Sequence, residues 1–134
     1  IKFNEKIPTG IMVEIPSAAI TAGELAKESD FFSIGTNDLT QYTLAADRMN
    51  QSVSYIYDPM NNAVMELIRM TIAAAHENGI TCGMCGELAS KPEAMSRLLA
   101  FGLDEFSMSA GSIPKAKLTI LGMYNGKPQG KVPQ

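Results

Sequence analysis

The sequence predicts an α/β protein built from four strand and helix units. Two observations predict this class. Four short runs of apolar residues recur along the chain, and each is followed by a segment whose apolar residues have helical spacing. Strands that are nearly continuous in apolar residues are typical of a parallel sheet covered by helices. With 134 residues and 46% hydrophobic content, the chain is long enough to bury one core, so we expect one domain or part of one.

The first two units occupy the N-terminal third of the chain. The expected elements are a strand at 11–15, a helix at 18–28, a strand at 31–35 and a helix at 36–46. Pro16 ends the first strand, and Ser17 has the side chain of a helix N-cap. The triplet Thr36-Asn37-Asp38 likewise has the composition of a helix start.

The remaining units follow a polar, irregular stretch at 47–59, which predicts a loop over the functional edge of the sheet. The expected elements are a helix at 62–78, a strand at 80–84, a helix at 92–102, a strand at 105–109 and a helix at 113–123. Gly79 is the expected stop of the long helix, and Pro92 opens the next one. The segment 127–134 is rich in Pro, Gly, Lys and Gln, which predicts a disordered tail after a domain at 1–126.

Composition and charge exclude several classes of function. Eleven basic and fourteen acidic residues give a net charge of −3, and no basic cluster extends beyond Lys115 and Lys117, so we expect no nucleic-acid partner. No apolar run reaches the roughly 18 residues of a membrane helix, and no signal peptide precedes the first strand. We therefore expect no membrane insertion and a cytoplasmic location. Because the chain opens at Ile1 and not at a methionine, we expect a piece of a longer protein or a chain whose beginning is not shown.

Polar residues occur where the predicted strands end. Glu14 lies near the end of the first strand, Asn37 and Asp38 follow the second, and Cys85 ends the third. In parallel α/β folds, ligands bind at the carboxyl ends of the strands, so these residues are expected to converge. A carboxylate after a strand can also be a simple helix cap, but Glu14 lies in an apolar strand, where a charge usually has a cation partner.

The residue types at this edge favour a magnesium site. Two carboxylates, Glu14 and Asp38, are too few for a calcium cage but suit Mg²⁺, which keeps water ligands and takes substrate oxygens. A magnesium site implies an anionic substrate, and Asn37 with the backbone amides of a helix start would bind phosphate oxygens. Arg48 would be either a bidentate phosphate ligand or a surface arginine paired with Asp47.

The two cysteines form a C-x-x-C motif, for which we expect separate roles. A structural zinc site needs four ligands, and the chain offers no second cysteine pair and only one histidine, His76. Strand positions three apart point to opposite faces, which separates the two sulfurs. Cys85 lies between glycines near a ligand edge, as a proton donor or nucleophile would, whereas Cys82 is expected to pack in the core. We expect His76 at a helix end or on the surface.

Five motifs carry a resemblance to a known family. They closely resemble enzyme I of the bacterial phosphoenolpyruvate:sugar phosphotransferase system, over about residues 8–120. The motifs are GIMVEIPS at 10–17, FFSIGTNDLTQ at 31–41, YTLAADR at 42–48, GMCGE at 83–87 and DEFSMSA at 104–110. The string GTNDLTQ is shared with pyruvate phosphate dikinase and its relatives, whereas YTLAADR and DEFSMSA favour enzyme I.

The resemblance implies a fold and a role for each site residue. At this point a doubly wound open sheet and half of a barrel fit the element pattern equally well, and the resemblance selects the C-terminal half of a phosphoenolpyruvate-binding (β/α)8 barrel. It implies that Glu14 and Asp38 ligate Mg²⁺ and that Asn37, Asp38 and Arg48 bind the substrate. It implies that Cys85 protonates the enolate carbon as pyruvate forms.

The resemblance also implies a reaction and partners. Phosphate passes from phosphoenolpyruvate to a histidine of the same enzyme and then to a small phosphocarrier protein, and the enzyme is a homodimer. The accepting histidine has no counterpart in this sequence, because His76 does not match it. Two alternatives stay open here: a relative of pyruvate phosphate dikinase or phosphoenolpyruvate synthase, and a noncatalytic binding or dimerisation module.

Overall fold

Four parallel strands form one sheet in the order β1-β2-β3-β4 in the computed structural model, which describes residues 1–125. The strands are β1 (Gly10–Val13), β2 (Phe31–Gly35), β3 (Thr81–Cys85) and β4 (Glu105–Phe106). The helices are α1 (Pro16–Ile20), α2 (Ala22–Leu25), α3 (Thr36–Leu44), α4 (Asn62–Glu77), α5 (Pro92–Phe101) and α6 (Ile113–Asn125). The tail expected at 127–134 lies outside the described residues.

The two faces of the sheet differ in burial. On one face, the side chains at alternate strand positions are fully buried or nearly so and belong to the core that the helices share. They include Val13, Phe32, Ile34, Cys82 and Met84. The intervening positions form what we name the open face, whose members are exposed or half-buried. They are Met12, Phe31, Ser33, Thr81, Gly83 and Cys85. A cavity of about 650 Å³ lies over the amino-terminal half of this face.

Helix α4 is the main element packed on the core side. Its residues Val64, Met65, Ile68 and Ile72 are completely buried, and their spacing of three and four places them on one stripe of the helix. Asn61 caps the helix through a hydrogen bond that the Ala63 amide donates to its side chain, 2.9 Å long. This packing confirms the amphipathic helix that the sequence predicts at 62–78.

The prediction of one continuous helix at 18–28 is wrong. The chain forms α1 and α2 with a break at Thr21, followed by a 3₁₀ turn at Ala26–Glu28. Thr21 leaves the helical conformation, with a φ of −99° and a ψ of 17°, and its hydroxyl donates to the Ser17 carbonyl over 2.9 Å. Ser17 is also not the N-cap: the helix starts at Pro16, and Ile15 precedes it without a side-chain cap.

The last strand is shorter than expected. β4 holds only Glu105 and Phe106, because the chain turns away after Ser107 donates its amide to the Met84 carbonyl over 2.8 Å. A 3₁₀ turn at Glu87–Ser90, which the sequence pattern does not predict, connects β3 to α5.

A hydrogen-bonded cluster joins α4 to the start of β3. His76 Nε2 lies 2.9 Å from Asp104 Oδ2, and the Cys82 amide donates to the same oxygen over 2.8 Å. Burial alone would raise the pKa of Asp104, but the Cys82 amide and His76 outweigh it and lower that pKa below its ordinary value. The histidine is exposed in the last turn of α4, which confirms the surface position expected for it.

The strand order follows the order of the chain. A doubly wound sheet reverses its strand order at one point, and no reversal occurs among the four strands of residues 1–125. The same stretch holds no helix that combines the length and the apolar character needed to cross a membrane.

Candidate functional site

The predicted site residues converge at the carboxyl edge of the open face. There a cavity of about 150 Å³ is lined by Met12, Glu14, Gly35, Thr36, Asn37, Asp38, Cys85 and Gly86. Because side chains alternate along a strand, Met12 and Glu14 project to the same side of β1. The register of β2 and β3 then places Gly35 opposite Cys85 on that side. Four of the five predicted site residues, Glu14, Asn37, Asp38 and Cys85, therefore share one cavity.

The Glu14 side chain packs closely against β2 at Gly35. It is half-buried and lies one residue beyond the end of β1, whereas the sequence predicted a strand that included it. A Cβ atom added at Gly35 would come within 2.6 Å of Glu14 Oε2. Only glycine at residue 35 leaves the room that the carboxylate occupies.

The turn after β3 is locked to the start of α3. The Thr36 hydroxyl donates to the Cys85 carbonyl over 3.0 Å, and the Glu87 amide donates to Asn37 Oδ1 over 3.4 Å. Gly86 between them has a φ of 102°, and a Cβ atom there would collide with Thr36 Oγ1. Glycine is therefore required at residue 86 both for its backbone conformation and for the close packing of the two segments.

The two cysteines have different surroundings, as the strand spacing predicts. Cys85 is half-buried in the cavity, with its Sγ atom 3.9 Å from Ser33 Oγ. Cys82 is completely buried in the core, where burial, reinforced by the charge of Asp104, raises the pKa of its thiol to about 12. Both thiols are free, so the C-x-x-C motif forms no disulfide.

Comparison with known proteins identifies the family. Residues 1–124 match the family described as PEP-utilising enzyme, PEP-binding domain, where PEP is phosphoenolpyruvate. The chain belongs to this family. The carboxyl edge described above is therefore the candidate PEP-binding edge of a PEP-utilising enzyme.

Several curated relatives share the name phosphoenolpyruvate-protein phosphotransferase. The Priestia megaterium relative is 59% identical over 120 residues, which cover 90% of this chain and 21% of the relative. The Bacillus subtilis (strain 168) relative is 58% identical over 117 residues, covering 87% of the chain and 20% of the relative. The Geobacillus stearothermophilus relative is 61% identical over 114 residues, which cover 85% of this chain and 20% of the relative. The chain thus spans about a fifth of the length of these relatives.

The donor set of this PEP-utilising domain fits a magnesium ion. Glu14 and Asp38 both line the cavity, and Mg²⁺ needs only one or two protein carboxylates when substrate and water complete its shell. Within residues 1–125, no group of three or more His, Cys, Asp and Glu side chains is arranged to hold a metal. The donors present therefore suit an ion whose remaining ligands are water and the oxygens of a bound anion.

Arg48, the fifth predicted residue, does not line this cavity. It is exposed in the loop after α3, where its backbone amide donates to Gln41 Oε1 over 3.2 Å. The same loop continues to Tyr57, whose hydroxyl donates to the Asn37 carbonyl over 3.1 Å. The alternative for Arg48, a surface pairing with Asp47, is not formed in the structure, where the Asp47 carboxylate accepts the Met49 amide over 2.9 Å.

Tyr57 is bonded to the predicted site residue Asn37, a contact that the sequence did not predict. Its side chain is half-buried, and burial raises the pKa of the phenol despite the opposing effects of Thr40 and Arg48. Nothing in the local sequence signals a contact with a residue twenty positions earlier. The sole indication was its place in the polar loop, which was expected to cover this edge.

A second cavity of about 330 Å³ adjoins the first and shares Asn37 and Gly86 with it. Its other lining residues are mostly hydroxyl-bearing: Ser90, Ser107, Ser109 and Ser112, together with Glu87 and Met108. These serines are engaged with protein groups, as in the 3.0 Å bond between the hydroxyls of Ser109 and Ser112. The second cavity thus extends the site toward the start of α6.

Proposed function

We propose that this chain is the C-terminal half of the (β/α)8 barrel that binds PEP in a phosphoenolpyruvate-protein phosphotransferase. Three features support the barrel: the sequential order of parallel strands, the helices on one face of the sheet, and the open opposite face that would become the barrel interior. The names of the relatives support the activity. In this proposal residues 1–126 are the domain and 127–134 a tail.

The observation that carries the proposal is the shared cavity of two carboxylates, an amide and a thiol. Glu14 and Asp38 would hold Mg²⁺, which supplies positive charge that stabilises the phosphate and the enolate when it is bound. Asn37 and Asp38 would orient the substrate at the start of α3, and Arg48, in the loop after α3, would bind the phosphate. The phosphoryl group then leaves for a histidine outside this chain.

Cys85 is the proposed proton donor for the carbon that becomes the methyl group of pyruvate. A general acid must lie within reach of the atom that it protonates, and Cys85 lines the same cavity as Asn37 and Asp38. The half-buried thiol faces the same cavity as Glu14, so the protonated carbon and the metal would lie in one space.

The proposal includes partners and a location. The full-length enzyme would pass phosphate from its histidine to a phosphocarrier protein in the cytoplasm. It would form a homodimer, and the chain by itself would associate, since β1 and β4 are unpaired strand edges and the open face exposes Met12 and Phe31. Light scattering that finds a stable, folded monomer would contradict the association of the isolated chain.

Proton exchange tests the catalytic part of the proposal. In D₂O with Mg²⁺, the full-length enzyme should incorporate deuterium into the methyl group of pyruvate, as measured by NMR. The Cys85→Ala variant should lose this exchange, and the matched Cys82→Ala variant should keep it. If Cys85→Ala exchanges at the rate of the unmodified enzyme, another group donates the proton. If pyruvate binds without any exchange, the domain is a binding module.

A further inference from the structure

The first residues of α3 carry side chains that are typical of a helix cap, yet two of them bond to another segment. The helix begins at Thr36, and Gly35 precedes it without a side-chain cap. The Thr36 hydroxyl donates to the Cys85 carbonyl, and Asn37 Oδ1 accepts the Glu87 amide. Such side chains usually bond to the amides of their own helix, and departures from a local pattern are typical of functional sites. Here they stabilise the turn after β3.

Cys85 depends on this contact because it is the last residue of β3. Pairing with β4 ends one residue earlier, at Met84 opposite Phe106. On the other side, β2 pairs with β3 as far as Cys85, and Thr36 directly after β2 gives the 3.0 Å bond to the Cys85 carbonyl. The Cys85 thiol also lies toward β2, 3.9 Å from Ser33 Oγ. The position of Cys85 is therefore set from the β2 side of the sheet.

The Thr36 side chain is itself held in place. It is only 1% exposed, so water has little access to its hydroxyl. The hydroxyl oxygen packs against Gly86, where an added Cβ atom would collide with it. Because threonine is branched at Cβ, its first side-chain torsion has few allowed values. The bond from Thr36 therefore fixes the Cys85 carbonyl from a rigid, buried position, and its removal would leave that carbonyl without this partner.

We propose that Thr36 is a positioning residue that acts through Cys85, because its hydroxyl fixes the thiol-bearing residue relative to the first turn of α3. This inference rests on the proposed function, in which Asn37 and Asp38 of that turn hold the substrate and Mg²⁺. Proton transfer breaks the S–H bond of Cys85 and forms a C–H bond at the enolate carbon, and the thiolate then takes a proton from water. The rate of this transfer falls steeply when the donor is displaced.

The test removes the Thr36 hydroxyl and separates the rate of exchange from binding. In D₂O with Mg²⁺, Thr36→Val in the full-length enzyme should incorporate deuterium into the methyl group of pyruvate at least about 10-fold more slowly, as measured by NMR. The pyruvate concentration that gives half-maximal exchange should change less than about threefold. Thr36→Ser keeps a hydroxyl and should exchange within about threefold of the unmodified enzyme.

Thr71→Val is the matched control for the loss of a buried threonine hydroxyl. Thr71 is completely buried in α4, its hydroxyl donates to the Leu67 carbonyl over 2.8 Å, and it is not among the residues that line the cavity. This variant should lose a comparable hydrogen bond and exchange at the unmodified rate. If Thr36→Val does not fold, Thr36→Ala takes its place, since it removes the hydroxyl without placing a methyl group against Gly86.

Three results would overturn the inference while the unmodified enzyme exchanges and Cys85→Ala does not. They are exchange at the unmodified rate without the Thr36 hydroxyl, a loss of pyruvate affinity as large as the loss of rate, and failure of Thr36→Ser to restore exchange. An unmodified enzyme that shows neither exchange nor PEP-dependent phosphoryl transfer would instead refute the proposed function, and the inference with it.

Discussion

The carboxylate of Glu14 lies over the backbone of Gly35, so closely that a methyl group at residue 35 would come within 2.6 Å of Glu14 Oε2. This contact joins the end of β1 to the end of β2, directly beneath the residues that start α3. The position of the acidic side chain therefore depends on the absence of a side chain on the neighbouring strand.

Substituting Gly35 should displace the proposed metal ligand. In Gly35→Ala, the new methyl group would push the Glu14 carboxylate out of the cavity, and we expect Mg²⁺-dependent affinity for PEP to fall at least about 10-fold. Isothermal titration calorimetry measures this loss. The control is Gly23→Ala in α2, where an added Cβ meets nothing within 4 Å. That variant should bind normally, and normal binding by Gly35→Ala would contradict the account.

Asp38 and Cys85 should separate binding from chemistry. Asp38→Asn keeps the side-chain shape but removes a charge that Mg²⁺ needs, so metal-dependent binding of PEP should be lost. Cys85→Ala should bind PEP with nearly unchanged affinity and fail to release pyruvate, because only the proton donor is missing. Calorimetry and a coupled pyruvate assay on the full-length enzyme measure the two quantities. Equal loss of binding in both variants would refute the division of roles.

The two thiols should differ in reactivity with alkylating reagents. Cys82 is fully buried and its pKa is raised to about 12, so it should stay unmodified by iodoacetamide at pH 8 while the accessible Cys85 reacts. Peptide mass spectrometry of the folded protein resolves the two sites, which share a tryptic peptide but fragment differently. Cys82→Ala should cost about 1 kcal/mol of stability through lost packing. Faster labelling of Cys82 than of Cys85 would contradict this arrangement.

Asp104 should contribute to stability only above acid pH. Its pKa is lowered in the folded protein, so the unfolded chain binds the proton more readily. The stabilisation is present above the ordinary aspartate pKa and is lost as pH falls through the folded value. Asp104→Asn retains an oxygen for the Cys82 amide but removes the charge beside His76.

Urea unfolding across about pH 2 to 6 measures this dependence. Because the Asp104 side chain is 38% exposed, the variant should lose less than about 1 kcal/mol at pH 6 and show a shallower decline toward acid. Glu77→Gln, which removes an exposed carboxylate from the same end of α4, should leave the decline unchanged. If the free energy of unfolding of Asp104→Asn falls toward acid pH as steeply as that of the unmodified protein, the Asp104 carboxylate does not cause the fall.

Much of the fold follows from apolar periodicity, because burial enforces that pattern. The runs that end near Glu14 and Asn37 form parallel strands, and α4 packs along the predicted stripe. The break at Thr21 was not predictable from the pattern, since Ala19, Ala22 and Ala26 are buried on both sides of it. The shortness of β4 likewise depends on tertiary pairing with β3.

The positions of the site residues at the strand ends were predictable from strand periodicity. The position of the site residue in the loop was not. Strand alternation and carboxyl-edge geometry bring Glu14, Asn37, Asp38 and Cys85 into one cavity. Arg48 lies in a loop whose path no local pattern defines, and the same loop is bonded to α3 through Tyr57 and a carbonyl twenty residues away. The roles of these residues in binding and catalysis stay predictions.

The most direct test of the central claim is calorimetric titration of PEP into this chain, with and without Mg²⁺ and with Asp38→Ala as the comparison. The account predicts binding that requires both the metal and Asp38, even if the affinity is only millimolar. Binding that persists in Asp38→Ala or without Mg²⁺ would contradict the claim that this edge of the sheet carries the PEP site. No binding by the folded chain would show that the site also requires the other half of the barrel.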